Sequence, residues 1–166
     1  MATEIKVEDR FDCSPRALYD LLCDNAFDDG LMKALNMGKE LMSETKIGDG
    51  VEYKICLTNP EEIPAIAKKF AGDHLCYVET RRWEPARLSN TWVIEPKVNG
   101  AKVEAKGTTE IVADGTGCIR RTKGTISVSL PLIGKKIEDM VLQSIKQNFE
   151  QNAAYCRKYI QDNNIK

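Results

Sequence analysis

The C-terminal fifth of the sequence carries one apolar stripe, and this stripe constrains the fold more than any other feature. From about Leu132 to Asn163, apolar residues recur three and four positions apart, which predicts one long helix with a single buried face. The stripe comprises Ile133, Ile137, Met140, Val141, Ile145, Phe149, Ala153, Cys156 and Ile160. Such a helix is not stable alone in water, so it needs a partner surface of matching length. A β-sheet is the only partner that the rest of the chain offers.

The chain before this helix is predicted to form seven antiparallel strands. Glu4 to Phe11 alternates polar and apolar residues, as a half-buried strand does. The pairs and runs of turn-forming residues divide the remainder into strands at about 39–47, 50–58, 74–84, 88–98, 101–113 and 117–130. Because most of the connections are short, successive strands must pair antiparallel.

Three shorter helices are also expected. Ser14 and Pro15 mark the start of the first, and a second runs from Leu31 to Asn36. Residues 60–72, between the third and fourth strands, carry acidic residues at their start and lysines near their end, which suits the dipole of a short helix. We call residues 60–72 the flap.

Length and charge limit the class of protein. The 166 residues fit a single domain, residues 1–166, and the 24 basic and 25 acidic residues nearly cancel. Basic and acidic residues alternate along the chain, so we expect no nucleic-acid partner. The N-terminal residues lack the apolar run of a signal peptide, and we expect a cytoplasmic protein.

The cysteines and the histidine suggest no special chemistry. The six cysteines are scattered without a CxxC pair, which is typical of reduced thiols in a core. The single histidine, His74, has no further nitrogen or sulfur ligand nearby in the sequence. We therefore predict no metal site, no cofactor and no catalytic residues.

The turn residues indicate which side chains of the central strands face the helix. A two-residue turn at Asn99-Gly100 places Trp92 opposite Gly107, and a four-residue turn at residues 114–117 places Gly107 opposite Gly124. Two adjacent glycines leave the inward face short of side-chain volume. Two interpretations fit and can coexist: the glycines bend the sheet around the helix with Trp92 covering the gap, or they leave a ligand cavity.

The fourth strand carries charged residues on both faces. A tight turn at residues 84–87 places Glu79 and Arg81 inside, whereas a shift of one residue would place Thr80 and Arg82 there. Both alternatives stay open. A buried Glu and Arg need each other or a polar ligand, because an unpaired buried charge costs several kcal/mol.

The tight turn also predicts cross-strand partners. In that register Glu79 lies opposite Trp92, and Arg81 lies opposite Asn90. An internal ion pair that supports the sheet is one interpretation. The other is that the polar end of an apolar ligand is held by Tyr53, Tyr77, Arg81 and Asn90.

The flap supports a separate hypothesis. Ile66 and Phe70, together with Lys68 and Lys69, form a small basic amphipathic surface. This surface could touch an anionic membrane while the cavity opens. The alternative is that the flap packs its apolar side on its own sheet.

The order of elements resembles the helix-grip fold of the START-like (SRPBCC) superfamily, which includes birch-pollen allergen relatives, polyketide cyclases and lipid-transfer domains. The stretches "IPAIAKKFAG", "ETRRWEP" and "VSLPLIGKKIED" are similar to a branch of unknown function within it. The resemblance implies an α+β fold, in which a seven-stranded antiparallel sheet curves around the C-terminal helix and two short helices follow strand 1. It also implies an apolar cavity between sheet and helix, and no common cofactor.

The predicted function is binding or transfer of a hydrophobic small molecule, such as a lipid or a sterol-like compound. An enzyme of the cyclase or dehydratase kind, using Tyr77, Glu79 or His74 as acid or base, is the first alternative. A chaperone-type interaction module is the second. The ligand-binding residues are predicted to be Tyr53, Ile55, Tyr77, Arg81, Asn90, Trp92, Ile94, Ala105, Gly107, Thr109, Gly124, Ile126, Met140, Ile145 and Phe149.

Overall fold

Alternating sequence patterns become strands of one antiparallel sheet in the computed structural model, which describes residues 2–63, 65–100, 102–130 and 134–166. The strands pair in the order β1-β7-β6-β5-β4-β3-β2. Their bounds are β1 Thr3–Phe11, β2 Gly38–Ile47, β3 Gly50–Glu62, β4 His74–Glu84, β5 Ser89–Pro96, β6 Lys102–Asp114 and β7 Gly117–Ser129. The helices are α1 Pro15–Cys23, α2 Asn25–Ala34, α3 Ala65–Ala71 and α4 Gly134–Asp162. This layout confirms the predicted α+β helix-grip arrangement.

The interior is divided into two hydrophobic clusters along α4. One cluster, with Phe11, Leu18 and Trp83 among its members, packs against Ala153, Cys156 and Ile160 near the end of α4. The other contains Ile5, Trp92, Ala105 and Ile126 and packs against Val141, Leu142 and Ile145 nearer its start. The middle of α4 therefore lies between two packed regions.

Helix α2 differs from its prediction. The predicted bounds of this helix are 31–36, but the helix begins at Asn25 and ends at Ala34. The reason is Asp24, whose carboxylate accepts hydrogen bonds from the amides of Ala26 and Phe27 at 2.7 and 3.3 Å and so caps the helix start. The predicted start of α1 is confirmed, because Ser14 accepts from the Ala17 amide at 3.3 Å.

Three of the predicted boundaries lie at or beside residues that the structure does not describe. The C-terminal helix is expected from about 132, but residues 131–133 lie outside the described residues. The sixth strand is expected from Ala101, which also lies outside them. In the flap, β3 continues to Glu62 and α3 begins at Ala65, with Pro64 undescribed between them. The flap is therefore part strand and part helix.

The β4–β5 register is shifted by two residues from the prediction. Arg81 lies opposite Trp92, and Glu79 lies opposite Ile94. The connection uses residues 85–88, and Leu88 adopts a left-handed backbone with φ 47°. A shift of two preserves the face of every side chain. Glu79 and Arg81 therefore do point inward, whereas Arg82 is exposed.

The predicted registers of the β5–β6 and β6–β7 pairs are confirmed, with Trp92 opposite Gly107 and Gly107 opposite Gly124. The space beside the glycines is not empty, however. A β-carbon on Gly107 would lie 2.5 Å from Trp92 Cζ2, and one on Gly124 would lie 2.7 Å from Trp92 Cη2. The Trp92 indole thus covers both glycines, and the cavities of this fold lie elsewhere.

Candidate ligand-binding site

Two adjoining cavities lie between the sheet and the middle of α4. Their volumes are about 150 and 130 Å³. We call the first the apolar chamber, because Met32, Leu35, Met37, Leu57, Leu75, Tyr77, Pro96, Ala105 and Val141 line it. We call the second the polar chamber, because Asn90, Trp92, Thr109 and Arg120 line it. Both chambers are lined by Glu79, Arg81, Ile94, Ile145, Phe149 and Asn152.

The chambers exist because the hydrophobic core is divided into two clusters. Alternate residues of β4 and β5 point inward, and so Tyr77, Glu79 and Arg81 meet Ile94 and its neighbours across the sheet. Helix α4 covers these strands with Ile145 and Phe149, which belong to its central turns. The second cluster reaches Ile145, but Phe149 belongs to neither cluster, and both chambers lie beside these two residues.

A surface depression borders the apolar chamber at the end of α2. It is lined by residues between Asp29 and Lys39, and it shares Met32 and Met37 with the apolar chamber. Methionine side chains are unbranched and adapt readily to their surroundings. These two side chains therefore lie between the chamber and the surface depression.

A buried ion network lies where the chambers meet. Arg81 donates to both carboxylate oxygens of Glu79, with Nε–Oε1 2.7 Å and Nη2–Oε2 3.1 Å, and to Asp28 Oδ1 at 2.9 Å. Asp28 also accepts from Lys39 Nζ at 2.6 Å. The side chains of Arg81, Glu79, Asp28 and Lys39 are only 16%, 14%, 11% and 11% exposed. The two cations and two carboxylates balance each other.

The network keeps Asp28, Arg81 and Lys39 charged near neutral pH. Burial alone would raise the pKa of Asp28, but the charges and hydrogen bonds of Arg81 and Lys39 outweigh it and hold this pKa below its ordinary value. Burial alone would lower the pKa of Arg81, but Glu79 and Asp28 raise it further above its usual range. The same balance, with Asp28 and Asp29 as partners, raises the pKa of Lys39.

We expect Asp28→Asn to lower the free energy of unfolding by about 1–3 kcal/mol at neutral pH. Because the folded-state pKa of Asp28 is depressed, its charge stabilises the fold above the unfolded-state pKa. That contribution is lost as the pH falls through the folded-state value, so the variant should approach wild type in acid. Urea unfolding at a series of pH values measures this difference.

Asp29→Asn is the matched control for this prediction. Asp29 also contacts Lys39, at 2.7 Å, but its side chain is 68% exposed. Its loss should change the unfolding free energy by no more than about 0.5 kcal/mol. Equal effects of the two substitutions at neutral pH would contradict the role given to Asp28.

Three of the residues that line the polar chamber carry a buried polar atom without a hydrogen-bond partner in the described part of the chain. Among the described residues, Asn90 Oδ1, Trp92 Nε1 and Arg120 Nε are buried without a hydrogen-bond partner. The rest of the Arg120 guanidinium is engaged, because Nη1 donates to Asn152 Oδ1 at 2.6 Å and Nη2 donates to Asp9 Oδ2 at 2.9 Å. Buried polar groups normally have partners, so these three atoms depart from the usual rule.

The predicted site residues fall into two groups. Those that line a chamber are Tyr77, Arg81, Asn90, Trp92, Ile94, Ala105, Thr109, Ile145 and Phe149. The others, Tyr53, Ile55, Gly107, Gly124, Ile126 and Met140, line neither chamber. Of these, Tyr53, Ile55 and Ile126 are buried in the clusters.

Several residues that line the chambers are not among the predicted site residues. Met32, Leu35 and Met37 belong to α2 and the segment after it, where the boundaries were misplaced. Arg120 could have been found, because the confirmed β6–β7 register puts it on the inward face. Asp9 lies on the same face of β1 as Ile5 and Phe11, and all three are buried. An arginine and an aspartate at inward positions of two paired strands indicate an internal ion pair, and Asp9 and Arg120 form one.

The residues proposed for acid–base chemistry are not arranged for it. Arg81 binds both oxygens of the Glu79 carboxylate. Burial and the Glu79 charge raise the pKa of Tyr77 above its usual range, so this phenol stays protonated. His74 is exposed at the start of β4 and lines neither chamber. The described part of the chain also brings no three His, Cys, Asp or Glu side chains together as a metal site.

Known structures share this fold at low sequence identity. The aromatase/cyclase Zhui from Streptomyces sp. R1128 aligns with a TM-score of 0.71, with 10% identity over 97% of this chain and 94% of that one. Norcoclaurine synthase from Thalictrum flavum, in complex with dopamine and hydroxybenzaldehyde, gives 0.69, with 13% identity over 98% and 88%. Ara h 8.0201 gives 0.66, with 14% identity over 98% and 99%.

The sequence comparisons identify a family and no characterised relative. No curated protein matches the chain significantly. Among the helices in the described residues, none has the length and apolar character needed to cross a membrane. Residues 6–160 match the family described as "Protein of unknown function (DUF2505)". The chain therefore belongs to this family, and its fold is the helix-grip fold of the START-like superfamily.

Proposed function

We propose that this protein binds a hydrophobic small molecule in the two chambers. The observation that carries the proposal is the gap between the two hydrophobic clusters, under the middle of α4. At about 24 cal/mol per Å³, an empty apolar chamber of about 150 Å³ would cost roughly 3–4 kcal/mol. That is a large share of the stability of a typical domain. A bound ligand removes this cost.

The volumes limit the size of the ligand. An apolar protein cavity of about 150 Å³ holds one benzene ring, and each chamber is close to this size. A ligand that extends through both chambers therefore has two rings, or a chain of similar volume. A complete sterol or a diacyl lipid fits only if α4 and the sheet separate. Within the predicted lipid or sterol-like class, the chambers favour its smaller members.

Similar proteins support a small organic ligand. One neighbour is an aromatase/cyclase, and another was solved in complex with dopamine and hydroxybenzaldehyde. In this chain Arg81 binds both oxygens of the Glu79 carboxylate, and the pKa of Tyr77 is raised above its usual range. These contacts favour a binding or transfer role over catalysis.

Filling the apolar chamber should weaken binding. Ser144 lies on α4 and lines this chamber, so Ser144→Trp should place an indole in the space. We expect the affinity for the neutral probe N-phenyl-1-naphthylamine, measured by fluorescence titration, to fall at least about tenfold, which corresponds to about 1.4 kcal/mol.

Gln143→Trp is the matched control, because Gln143 is the preceding residue on the same helix and is exposed. This variant should keep wild-type affinity. Native mass spectrometry of the purified wild type should also show a copurifying small molecule that Ser144→Trp lacks. Equal probe affinities for wild type and Ser144→Trp would refute the chambers as the binding site.

We further propose that the flap touches an anionic membrane when ligand is exchanged. Lys69 is exposed on α3, and the Phe70 carbonyl accepts from the Asn99 amide at 2.7 Å, which ties the flap to the β5–β6 turn. Lys68 and Phe70 are half-buried, and the side chain of Ile66 lies outside what the structure describes. Lys68→Glu/Lys69→Glu should reduce co-sedimentation with phosphatidylglycerol vesicles severalfold. Unchanged sedimentation would remove the membrane hypothesis.

We also propose a cytoplasmic location. All six cysteines are free thiols, and three of them, Cys13, Cys118 and Cys156, are buried. Free thiols persist in reducing compartments, where disulfides are rare. Recovery of the protein in a secreted fraction after cell fractionation would contradict this location.

A further inference from the structure

Two methionines form the boundary between the apolar chamber and the surface depression at the end of α2. Met32 and Met37 line both spaces, and among the described residues no other residue does so. Met32 is buried, and Met37 is half-buried. A molecule that passes from the depression into the chamber must therefore displace these two side chains.

The end of α2 brings the two methionines together. The Met37 amide donates to the Met32 carbonyl at 2.8 Å. The Asn36 amide donates to the Lys33 carbonyl at 3.1 Å, and Asn36 adopts a left-handed backbone with φ 54°. These bonds and the left-handed residue form a Schellman motif, in which apolar side chains at the positions of Met32 and Met37 commonly pack on each other. The boundary is thus made by one helix end.

An ion bridge holds this helix end against the sheet. Lys39 lies at the start of β2, and its ammonium group contacts Asp28 at 2.6 Å and Asp29 at 2.7 Å, both on α2. Asp28 is bound in turn by Arg81 of β4 at 2.9 Å. The Lys39 side chain is 11% exposed, so salt screens its pair with Asp28 only weakly. The connection between α2 and β2 is therefore fixed by the Schellman motif and by the Lys39 bridge.

The other walls of the apolar chamber are harder to move. Leu57, Ile94 and Ala105 line it from β3, β5 and β6, and each of these strands is hydrogen-bonded to a neighbour on both sides. Separating these strands would break rows of backbone hydrogen bonds. Methionine side chains, by contrast, are unbranched with three rotatable bonds, and they change shape readily. The boundary at Met32 and Met37 therefore opens with the least rearrangement.

We propose that the ligand enters and leaves the apolar chamber between Met32 and Met37, and that the Lys39 bridge keeps this portal closed, an inference that rests on the proposed function. The portal lies at the flap end of the sheet, because Gly38 pairs with Thr58 of β3, two positions before the flap. The rate of exchange is then set by how often the portal opens, since association is slow when binding requires a conformational change.

Met37→Ala should widen the portal. We expect the association and dissociation rate constants of N-phenyl-1-naphthylamine, measured by stopped-flow fluorescence, each to rise at least about threefold. Leu75→Ala is the matched control, because Leu75 lines the same chamber from β4 but does not line the depression. This variant also enlarges the chamber. It should therefore change the dissociation rate constant and leave the association rate constant at the wild-type value.

Lys39→Met should loosen the portal, because it removes the bridge and keeps most of the length of the side chain. We expect both rate constants to rise at least about twofold. Lys33→Met is the charge-matched control: Lys33 is exposed, lines the same depression and forms no ion pair with the described residues. It should leave both rate constants unchanged. Thermal unfolding checks that all four variants are folded.

The possible results separate this inference from the function on which it rests. Wild-type association rate constants in both Met37→Ala and Lys39→Met would overturn the portal and leave the ligand site. An equal rise in Leu75→Ala and Met37→Ala would also overturn it, because chamber size would then explain the rates. A rise in Met37→Ala alone would keep the portal and overturn the role of the Lys39 bridge. If the probe does not bind wild type, the proposed function fails, and the portal fails with it.

Discussion

Arg81→Met is expected to lower the free energy of unfolding by about 3–5 kcal/mol, because it leaves two carboxylates buried without their common partner. Arg81 forms two hydrogen bonds to Glu79 and one to Asp28. Asp28 keeps Lys39, at 2.6 Å, but Glu79 loses both of the hydrogen bonds that its carboxylate receives from Arg81. Urea unfolding at neutral pH measures the loss.

A neighbouring arginine provides the control. Arg82 follows on the outer face of the same strand and pairs with Glu52 at 2.9 Å, but its side chain is 50% exposed. Arg82→Met should therefore cost no more than about 1 kcal/mol. Similar losses for the two variants would show that burial of the Arg81 network contributes nothing.

A combined variant separates the unpaired charge from the lost side chain. Asp28→Asn/Glu79→Leu/Arg81→Met removes the carboxylates together with the arginine, and Lys39 still pairs with Asp29 at 2.7 Å. Replacing a whole buried network with neutral side chains is often close to neutral for stability. We expect this variant to be more stable than Arg81→Met alone. If it is less stable, the packing of Arg81 matters more than its charge.

The single variant Arg81→Met also tests whether Arg81 contributes to ligand binding. Arg81 lines both chambers, at the place where they meet. If it contacts the ligand, Arg81→Met should weaken probe binding beyond the loss explained by the unfolded fraction. A probe affinity equal to wild type for the folded fraction would leave only the structural role.

Local signals account for the parts of the fold that the sequence predicts correctly. The Asn99-Gly100 turn and the turn at 114–117 set the registers of β5, β6 and β7, since tight turns permit few pairings. The β4–β5 connection could not be read in the same way. It needs Leu88 in a left-handed backbone conformation, which leucine rarely adopts and which the sequence therefore does not predict.

The candidate site was less predictable because its residues come together only in three dimensions. Asp28 belongs to the ion network and to α2, but it lies before Leu31, where this helix was predicted to begin. The sequence shows that Gly107 and Gly124 leave space on the inward face. Whether that space is filled depends on the orientation of the Trp92 indole ring. Volume is missing instead under the middle of α4, between two clusters whose extent no short motif encodes.

Trp92→Ala is expected to destabilise the protein by about 3–5 kcal/mol, the usual cost of truncating a buried aromatic side chain. The indole is 6% exposed and lies directly over Gly107 and Gly124, which have no side chains to fill the space that it leaves. Free indole should occupy that space, so its addition should raise the melting temperature of the variant more than that of wild type. A loss below about 1 kcal/mol would mean that the strands close over the gap or that the indole does not cover the glycines. Wild-type stability together with no rescue by indole would leave sheet bending as the reason for the two glycines.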